Sequence, residues 1–232
     1  MSEPAGTNTE GLLSILPGEG MSIPASAAGI VLLDHLRVVV PRRREYFEDR
    51  FVANRSRGPC EEAFCVLALL RYFARARPRW FPAELRRAAM GGAPDFVLHR
   101  QTLPPLAIEH TNAGQNDFQH WLGATEHTRG VVHIPSPGGN GWIGDVPERA
   151  FRTDLEDALR RKMPAKFWRD APAGSVRCLM IYDQTNTRFF VQDAAARELL
   201  HDVFHCLPEA AASFSFVALV RGADRVMVEE LK

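Results

Sequence analysis

The chain has 232 residues and equal numbers of basic and acidic side chains, 28 of each, so its formal net charge is zero. This length suffices for one domain with a full hydrophobic core, and the neutral charge argues against a protein that holds nucleic acid tightly by net charge alone. No signal peptide is visible and no apolar run is long enough to span a bilayer, so we expect a cytoplasmic protein without a membrane partner. The four cysteines (Cys60, Cys65, Cys178 and Cys206) form no CxxC pair, and no Cys/His spacing suggests a zinc site. We therefore expect all four to be reduced core residues.

The first 28 residues are rich in Gly, Pro, Ser, Thr and Ala, and this composition predicts a flexible tail. Residues 29–232 are expected to form a single α/β domain. The apolar segment 30–40 is compatible with a helix or with a helix that passes into a strand, and the pattern does not decide between them. Three arginines follow, Arg42, Arg43 and Arg44, which form either a solvated face or a contact to phosphates.

A buried helix is predicted over residues 60–76, since this segment is apolar on nearly every face. Glu61 and Glu62 lie in its first turn, where the helix dipole favours acids. Glu62 is also in register with the apolar stripe of Val66, Leu69 and Phe73. Either role is open for the pair, although the stripe favours Glu62 as the carboxylate that points inward.

The next segment, 75–87, combines five arginines with two aromatic residues, Trp80 and Phe81. Arginines among aromatic rings can bind phosphates and stack on bases, and they also occur in ordinary loops with half-buried rings. Arg79 is the candidate nucleic-acid contact here. Residues 79–81 are a candidate first strand of the core.

Two short apolar strands, 94–98 and 106–111, are joined by a polar turn that contains proline, and together they predict a β-hairpin. Each strand carries one carboxylate, Asp95 in the first and Glu109 in the second. A charge in a half-buried strand is costly unless it is paired or binds a metal, and paired carboxylates suit Mg²⁺ or Mn²⁺. The simpler alternative is that Asp95 is a turn residue and that Glu109 faces solvent.

The segment 112–147 is irregular and rich in Gly, Asn, Pro and Ser, with a short helix expected within 116–128. An amphipathic helix follows over 152–168, capped by Thr153 or Asp154 and kinked or broken at Pro164. Its buried face begins at Leu155 and continues to Lys162. Beyond it we predict a strand over 175–183, a helix over 193–207, and two final strands over 213–220 and 225–229.

The pair Pro94-Asp95 followed by Ile108-Glu109 resembles the motif of the PD-(D/E)xK nuclease superfamily, with Thr111 where the motif has lysine. The resemblance covers about residues 58–183, in the order helix with an acid, hairpin, helix and strand. It implies a restriction-endonuclease-like core, in which a mixed central sheet is flanked by helices. It also implies that the first core helix supplies a further acid, for which we favour Glu62.

This resemblance implies a metal-dependent nuclease that hydrolyses phosphodiester bonds. Asp95, Glu109 and Glu62 would hold Mg²⁺ or Mn²⁺, and Lys162 would take the place of the missing motif lysine, as in members that carry this lysine on the next helix. Its partner would be nucleic acid, with DNA the first choice, contacted by Arg42, Arg43, Arg44 and Arg79; a homodimer is left open. The competing hypothesis is an inactive nuclease fold that serves as a binding module. A third hypothesis is an unrelated α/β interaction protein.

Overall fold

The fold is described from a computed structural model, which covers residues 20–39, 57–88, 93–114, 147–183, 191–222 and 224–231. Five α-helices and seven β-strands lie in these ranges, together with two short 3₁₀ helices. In chain order they are β1 (Gly20–Ile23), α1 (Ser26–Val39), α2 (Arg57–Ala76), a 3₁₀ helix (Pro78–Trp80), β2 (Ala83–Arg87), β3 (Phe96–Arg100), β4 (Leu106–Ala113), α3 (Pro147–Lys162), a 3₁₀ helix (Ala165–Trp168), β5 (Val176–Asp183), α4 (Asp193–Cys206), α5 (Pro208–Ser213), β6 (Phe216–Gly222) and β7 (Arg225–Glu230).

The seven strands form one mixed sheet whose spatial order is the order of the chain. The pairs β1–β2, β2–β3, β3–β4 and β6–β7 are antiparallel. The β4–β5 and β5–β6 pairs are parallel. Parallel neighbours need a crossover connection, and the described helices α3, and α4 with α5, lie between these strands in the sequence. The predicted mixed central sheet flanked by helices is confirmed.

Two hydrophobic cores lie on opposite faces of the sheet. One contains the stripe of α2 (Val66, Leu69 and Phe73) together with Ile108 of β4. The other contains Leu155 and Leu159 of α3, Leu200 and Phe204 of α4, and Ala107 of β4. Because β4 contributes to both cores, the predicted alternation of its side chains is correct, but neither of its faces meets solvent. A carboxylate in β4 therefore lies in a covered part of the sheet.

A buried ion pair joins the ends of the two central parallel strands. Arg221, at the end of β6, donates through Nε to Asp183 at the end of β5 over 2.8 Å, and both side chains are fully buried. The same guanidinium donates to Asp193 at the start of α4 and to the carbonyl oxygen of Val191. Two strands and a helix are thus fastened at one point.

Several sequence predictions are wrong in detail. The flexible tail to residue 28 is wrong at its end, because residues 20–23 form β1 and pair with β2. Segment 26–39 is helical throughout, which excludes the strand at its end. Residues 78–80 form a 3₁₀ turn rather than a strand, and the strand begins after Pro82. Helix α3 begins at Pro147, so neither Thr153 nor Asp154 caps it.

The cysteine prediction is only partly correct. Cys65 and Cys178 are buried, whereas Cys206 is exposed at the end of α4. The side chain of Cys60, the predicted helix within 116–128, and the arginines at 42–44 lie outside the described residues. Within the described ranges, no helix combines the length and the apolar character needed to cross a bilayer.

Candidate functional site

The carboxylates of Asp95 and Glu109 meet at the point where β3 begins. Phe96 of β3 pairs with Ile108 of β4, which brings the residues next to them, Asp95 and Glu109, to the following position of the ladder. The Asp95 amide donates to Glu109 Oε2 over 3.1 Å, and the His110 amide donates to Asp95 Oδ2 over 2.7 Å. Each carboxylate thus accepts a backbone hydrogen bond from the other strand, which holds both acids together at this edge.

Backbone contacts also fix the segment that leads into β3. Ala93 exchanges two hydrogen bonds with Asp170, which lies just beyond the second 3₁₀ helix: its amide donates to Asp170 Oδ2 over 3.2 Å, and its carbonyl accepts from the Asp170 amide over 2.8 Å. The Asp95 carbonyl accepts from the amide of Ala88 over 3.0 Å. The position of Asp95 is therefore set from both sides.

Lys162 brings a positive charge to Glu109 from helix α3. Its Nζ lies 2.5 Å from Glu109 Oε1, and only 18% of the lysine side chain and 4% of the glutamate side chain are exposed. The predicted proximity of Lys162 to Glu109 is confirmed, while the role of either residue stays a prediction. The chain turns sharply after Lys162, and the indole of Trp168 donates to the Lys162 carbonyl over 3.0 Å. The ring of Phe167 covers the ammonium, with its centroid 4.3 Å from Nζ.

Glu62 approaches the same region from the second turn of α2, because the helix begins at Arg57, so the prediction that Glu61 and Glu62 lie in its first turn is wrong. Its Oε2 accepts a hydrogen bond of 2.5 Å from Arg87, the last residue of β2, and both side chains are largely buried. Burial raises the pKa of the Glu62 carboxyl, and the negative charge of Asp95 raises it further. The predicted inward direction of Glu62 is therefore correct. Its direct partner is Arg87, so any contact between Glu62 and a metal would compete with this ion pair.

Burial raises the pKa of Glu62, Asp95 and Glu109, because a charged carboxylate is less stable away from water. Desolvation, followed by the charge of Asp95, raises the pKa of Glu109 to about 7, despite the hydrogen bond from Lys162. Desolvation also raises the pKa of Asp95, against the opposing effects of the His110 amide, Lys162 and Arg87. For Glu62 too, burial is the largest cause of the raised pKa. An additional positive charge at this site would stabilise the ionised form of the three acids, whose pKa values are raised even though Lys162 and Arg87 lie beside them.

His110 and Thr111 complete the described part of β4 around the acids. Burial lowers the pKa of His110 to about 3, so the imidazole is neutral near pH 7. Within the described residues, its buried Nε2 has no hydrogen-bond partner. Thr111 is buried at the motif-lysine position and cannot supply a charge. The positive charge beside Glu109 comes from Lys162.

Arg79 is the one proposed nucleic-acid contact that lies among the described residues, and it is not part of this site. Arg79 is exposed in the first 3₁₀ helix, beyond the far end of α2 from Glu62, which places it roughly 20 Å away along the helix axis. Arg87 is the arginine at the site, and the sequence had marked it only as one of several in a basic segment. The sequence could not show that Arg87 ends a strand, because the strand was predicted at residues 79–81 and the observed strand β2 ends at Arg87.

The donor set at this site fits a hard divalent ion. Carboxylate oxygens are the ligands that Mg²⁺ and Mn²⁺ take in proteins, and Mg²⁺ usually keeps several waters beside one or two of them. Asp95 and Glu109 present such oxygens, and burial raises the pKa of both. A divalent ion bound there would stabilise the ionised form of both acids.

A second cluster of metal-ligating side chains lies elsewhere, on α4 and β7. It consists of His201, His205 and Glu229, whose ligand atoms lie within 4.8 Å of one another. Sequence reasoning missed it, although the spacing His-x₃-His on a predicted helix was a usable signal because residues four apart share a helix face. The glutamate could not be added from the sequence, since only the sheet brings β7 beneath α4.

No family model, curated protein or solved structure matches this chain. The geometry of its residues is therefore the basis on which a function can be inferred.

Proposed function

We propose that the chain is a metal-dependent nuclease of the PD-(D/E)xK type, which hydrolyses phosphodiester bonds of nucleic acid, with DNA as the first candidate substrate. One observation carries the proposal: Asp95 just before β3, Glu109 on β4 and Lys162 on α3 converge in a covered part of the sheet. The order α2, β2, β3, β4, α3, β5 also agrees with the order of elements in the resembled superfamily.

Asp95 and Glu109 would hold the divalent ion, and Glu62 would act as a further or water-mediated ligand. When bound, Mg²⁺ or Mn²⁺ supplies Lewis-acid stabilisation of charge on the phosphate oxygens and lowers the pKa of a coordinated water. The backbone hydrogen bonds to Asp95 and Glu109 orient both carboxylates before substrate arrives. Such orientation reduces the reorganisation that the reaction requires.

Lys162 would supply the positive charge on the attacking side. Its ammonium is held by Glu109, by the Phe167 ring and by the anchored end of α3, so it needs little ordering to face the reacting phosphate. Arg87 is the nearest described arginine that could contact a phosphate, and it would do so by exchanging Glu62 for the substrate.

A second candidate function is a nuclease fold that binds a partner without cutting. The observation that favours it is the pairing of Lys162 with Glu109 and of Arg87 with Glu62, because these ion pairs already neutralise two of the three acids. In this case Lys162 is an ordinary ion-pair partner. The third hypothesis, that the motif match is accidental, loses support because Asp95 and Glu109 do converge.

Cleavage of supercoiled plasmid, linear duplex DNA, single-stranded DNA and RNA, with Mg²⁺, Mn²⁺ or EDTA, tests the proposal. We expect cleavage that depends on the divalent ion, disappears in Asp95→Asn and persists in Glu84→Gln. Glu84 is a suitable control because it lies on strand β2 and pairs with Arg86 of the same strand. Identical purification of the two variants controls for contaminating nucleases. Absence of cutting on all four substrates would transfer support to the binding module.

A further inference from the structure

We infer that His201, His205 and Glu229 form a zinc site that ties helix α4 to strand β7. His201 and His205 are four residues apart on α4, and their rings lie 4.3 Å apart between centroids. Glu229 rises from β7, where it pairs with Val217 of β6. Two elements that are distant in sequence thus place two imidazoles and one carboxylate at one point.

The separations of the ligand atoms suit a tetrahedral ion. Glu229 Oε2 lies 2.9 Å from His201 Nδ1 and 3.9 Å from His205 Nε2. Zinc bonds of about 2.0–2.1 Å at tetrahedral angles put neighbouring ligand atoms about 3.3–3.4 Å apart. The two separations from Glu229 lie on either side of this value, and all three ligand atoms lie within 4.8 Å of one another, so rotations of the side chains would bring them to tetrahedral spacing.

Glu229 is held in place more firmly than a typical surface acid. Its side chain is only 16% exposed, and its described partners are the two histidines. The histidines are more open to water, with 57% and 36% of their side chains exposed. Because the two imidazoles face water, an ion could reach the site from solvent. A water molecule could take the fourth ligand position beside the mostly buried Glu229 carboxylate and the two imidazoles.

The ligand types identify the class of ion. Imidazole nitrogen with one carboxylate suits zinc and its first-row neighbours, whereas Mg²⁺ prefers oxygen ligands only. The site is also separate from the acids around Glu109, because three strand spacings between β4 and β7 amount to roughly 14 Å. It does not depend on the proposed nuclease activity.

An ion held by both elements would stabilise the native packing of α4 on the edge of the sheet. Strand β7 is the last strand of the described sheet, and its free edge has no further strand to hold it. A ligand that binds the folded form alone raises the melting temperature by mass action. We therefore expect zinc to stabilise the protein at micromolar concentrations.

Calorimetric titration of the untagged full chain with ZnCl₂, together with thermal melts, tests the site. We expect the double variant His201→Gln/His205→Gln and the single variant Glu229→Gln to weaken zinc affinity at least tenfold and to remove the thermal shift. Asp202→Asn, an exposed acid beside His201, is the matched control and should bind as the wild type does. Asp95→Asn should also keep the zinc response, which separates this site from the nuclease acids.

Circular dichroism of the variants without zinc checks that each one folds. Zinc affinity that is unchanged in the double variant would overturn the inference, because the ion would then bind elsewhere on the chain. A wild-type protein that binds no zinc at micromolar concentrations would overturn it as well.

Discussion

Replacing Lys162 is the substitution that best distinguishes an enzyme from a binding module. In Lys162→Met the stem volume is kept while the ammonium beside Glu109 is lost, so the fold should be retained. We expect cleavage to fall by about 100-fold or more, since removal of one charge-stabilising group in a water-poor site has effects of this size. Rates of plasmid cleavage measure the change.

Lys166→Met provides the control for this prediction. Lys166 is exposed and lies beyond Pro164. Its ammonium lies 5.0 Å from the centroid of the Phe167 ring. Its loss should leave the cleavage rate within about twofold, because exposed substitutions away from the reacting groups have small effects. Equal rates for the wild type and Lys162→Met would refute the proposed role of Lys162.

Glu62 and Glu61 form a natural comparison within one helical turn. Glu62 contacts Arg87 and is affected by the charge of Asp95, so Glu62→Gln should weaken Mg²⁺ binding and slow cleavage, by about 10-fold. Glu61→Gln should change either quantity by less than half as much. Isothermal titration with MgCl₂ and cleavage rates measure both. If both variants leave Mg²⁺ binding and cleavage nearly unchanged, neither glutamate serves the metal site and the pair interacts only with the helix dipole.

The raised pKa values make metal binding depend on pH. Glu109 has a pKa of about 7 in the folded protein and Asp95 is also raised, so at pH 5.5 protons occupy sites that a metal must displace. The increase in melting temperature caused by Mg²⁺ should therefore grow as pH rises from about 5.5 to 8.

The sign of the stability without metal is opposite. An acid whose folded pKa lies above its unfolded value contributes stability at low pH and loses it as pH rises through the folded value. For Glu109 this window runs from its ordinary pKa of 4.5 to about 7. For the effect of Mg²⁺ in the preceding paragraph, an increase in melting temperature that is the same from about pH 5.5 to 8 would count against Asp95 and Glu109 as ligands.

At the scale of elements, the junction after α3 decides where Lys162 points. The helix ends at Lys162, Pro164 prevents its continuation, and the next 3₁₀ turn returns Trp168 to donate to the Lys162 carbonyl. Trp168→Phe removes this hydrogen bond and part of a buried ring that packs on Phe214. We expect a loss of about 1–3 kcal/mol in unfolding free energy.

Urea denaturation measures that loss, and cleavage rates show whether the lysine is also displaced. Phe214→Leu offers the comparison, because it reduces packing against Trp168 and leaves the hydrogen bond to the Lys162 carbonyl. A lower cleavage rate in Trp168→Phe than in Phe214→Leu at matched stability would assign positioning to this junction. Equal rates would show that the helix end alone orients Lys162.

The elements themselves were largely predictable, since their periodicity is a local property. Helix α2, the hairpin β3–β4, strand β5 and helix α4 were found within a few residues of their observed bounds. The errors arose where tertiary contacts override composition. Residues 20–23 form a segment of only four residues, which becomes a strand because the edge of β2 offers it hydrogen bonds and because Ile23 packs in the core.

At the scale of the whole molecule, the buried Arg221 is the point where β5, β6 and α4 are joined. Arg221→Met removes the positive charge beside the buried Asp183 carboxylate, and breaking a buried pair in this way costs about 3–5 kcal/mol. Arg225→Met is the control, because Arg225 is exposed and lies 3.5 Å from Asp193. Its loss should cost less than about 1 kcal/mol.

Chemical denaturation at pH 7 measures both variants. Arg221→Met should lower the urea midpoint strongly, while Arg225→Met should leave it nearly unchanged. If the two variants are equally stable, the ion pair at the ends of the parallel strands contributes little to the fold. Such a result would place the stability in the two hydrophobic cores alone.

The mixed α/β fold class and the hairpin with its two acids could be predicted from the sequence, because periodicities of two and about 3.6 residues are set by local backbone geometry. The choice of Lys162 as the lysine beside Glu109 came from the superfamily resemblance together with its place on the buried face of α3. Three features could not be predicted: β4 is covered on both faces, Arg87 pairs with Glu62, and Glu229 joins His201 and His205. Such contacts depend on which strands become neighbours and in what register, and that arrangement is a property of the assembled sheet rather than of any one segment.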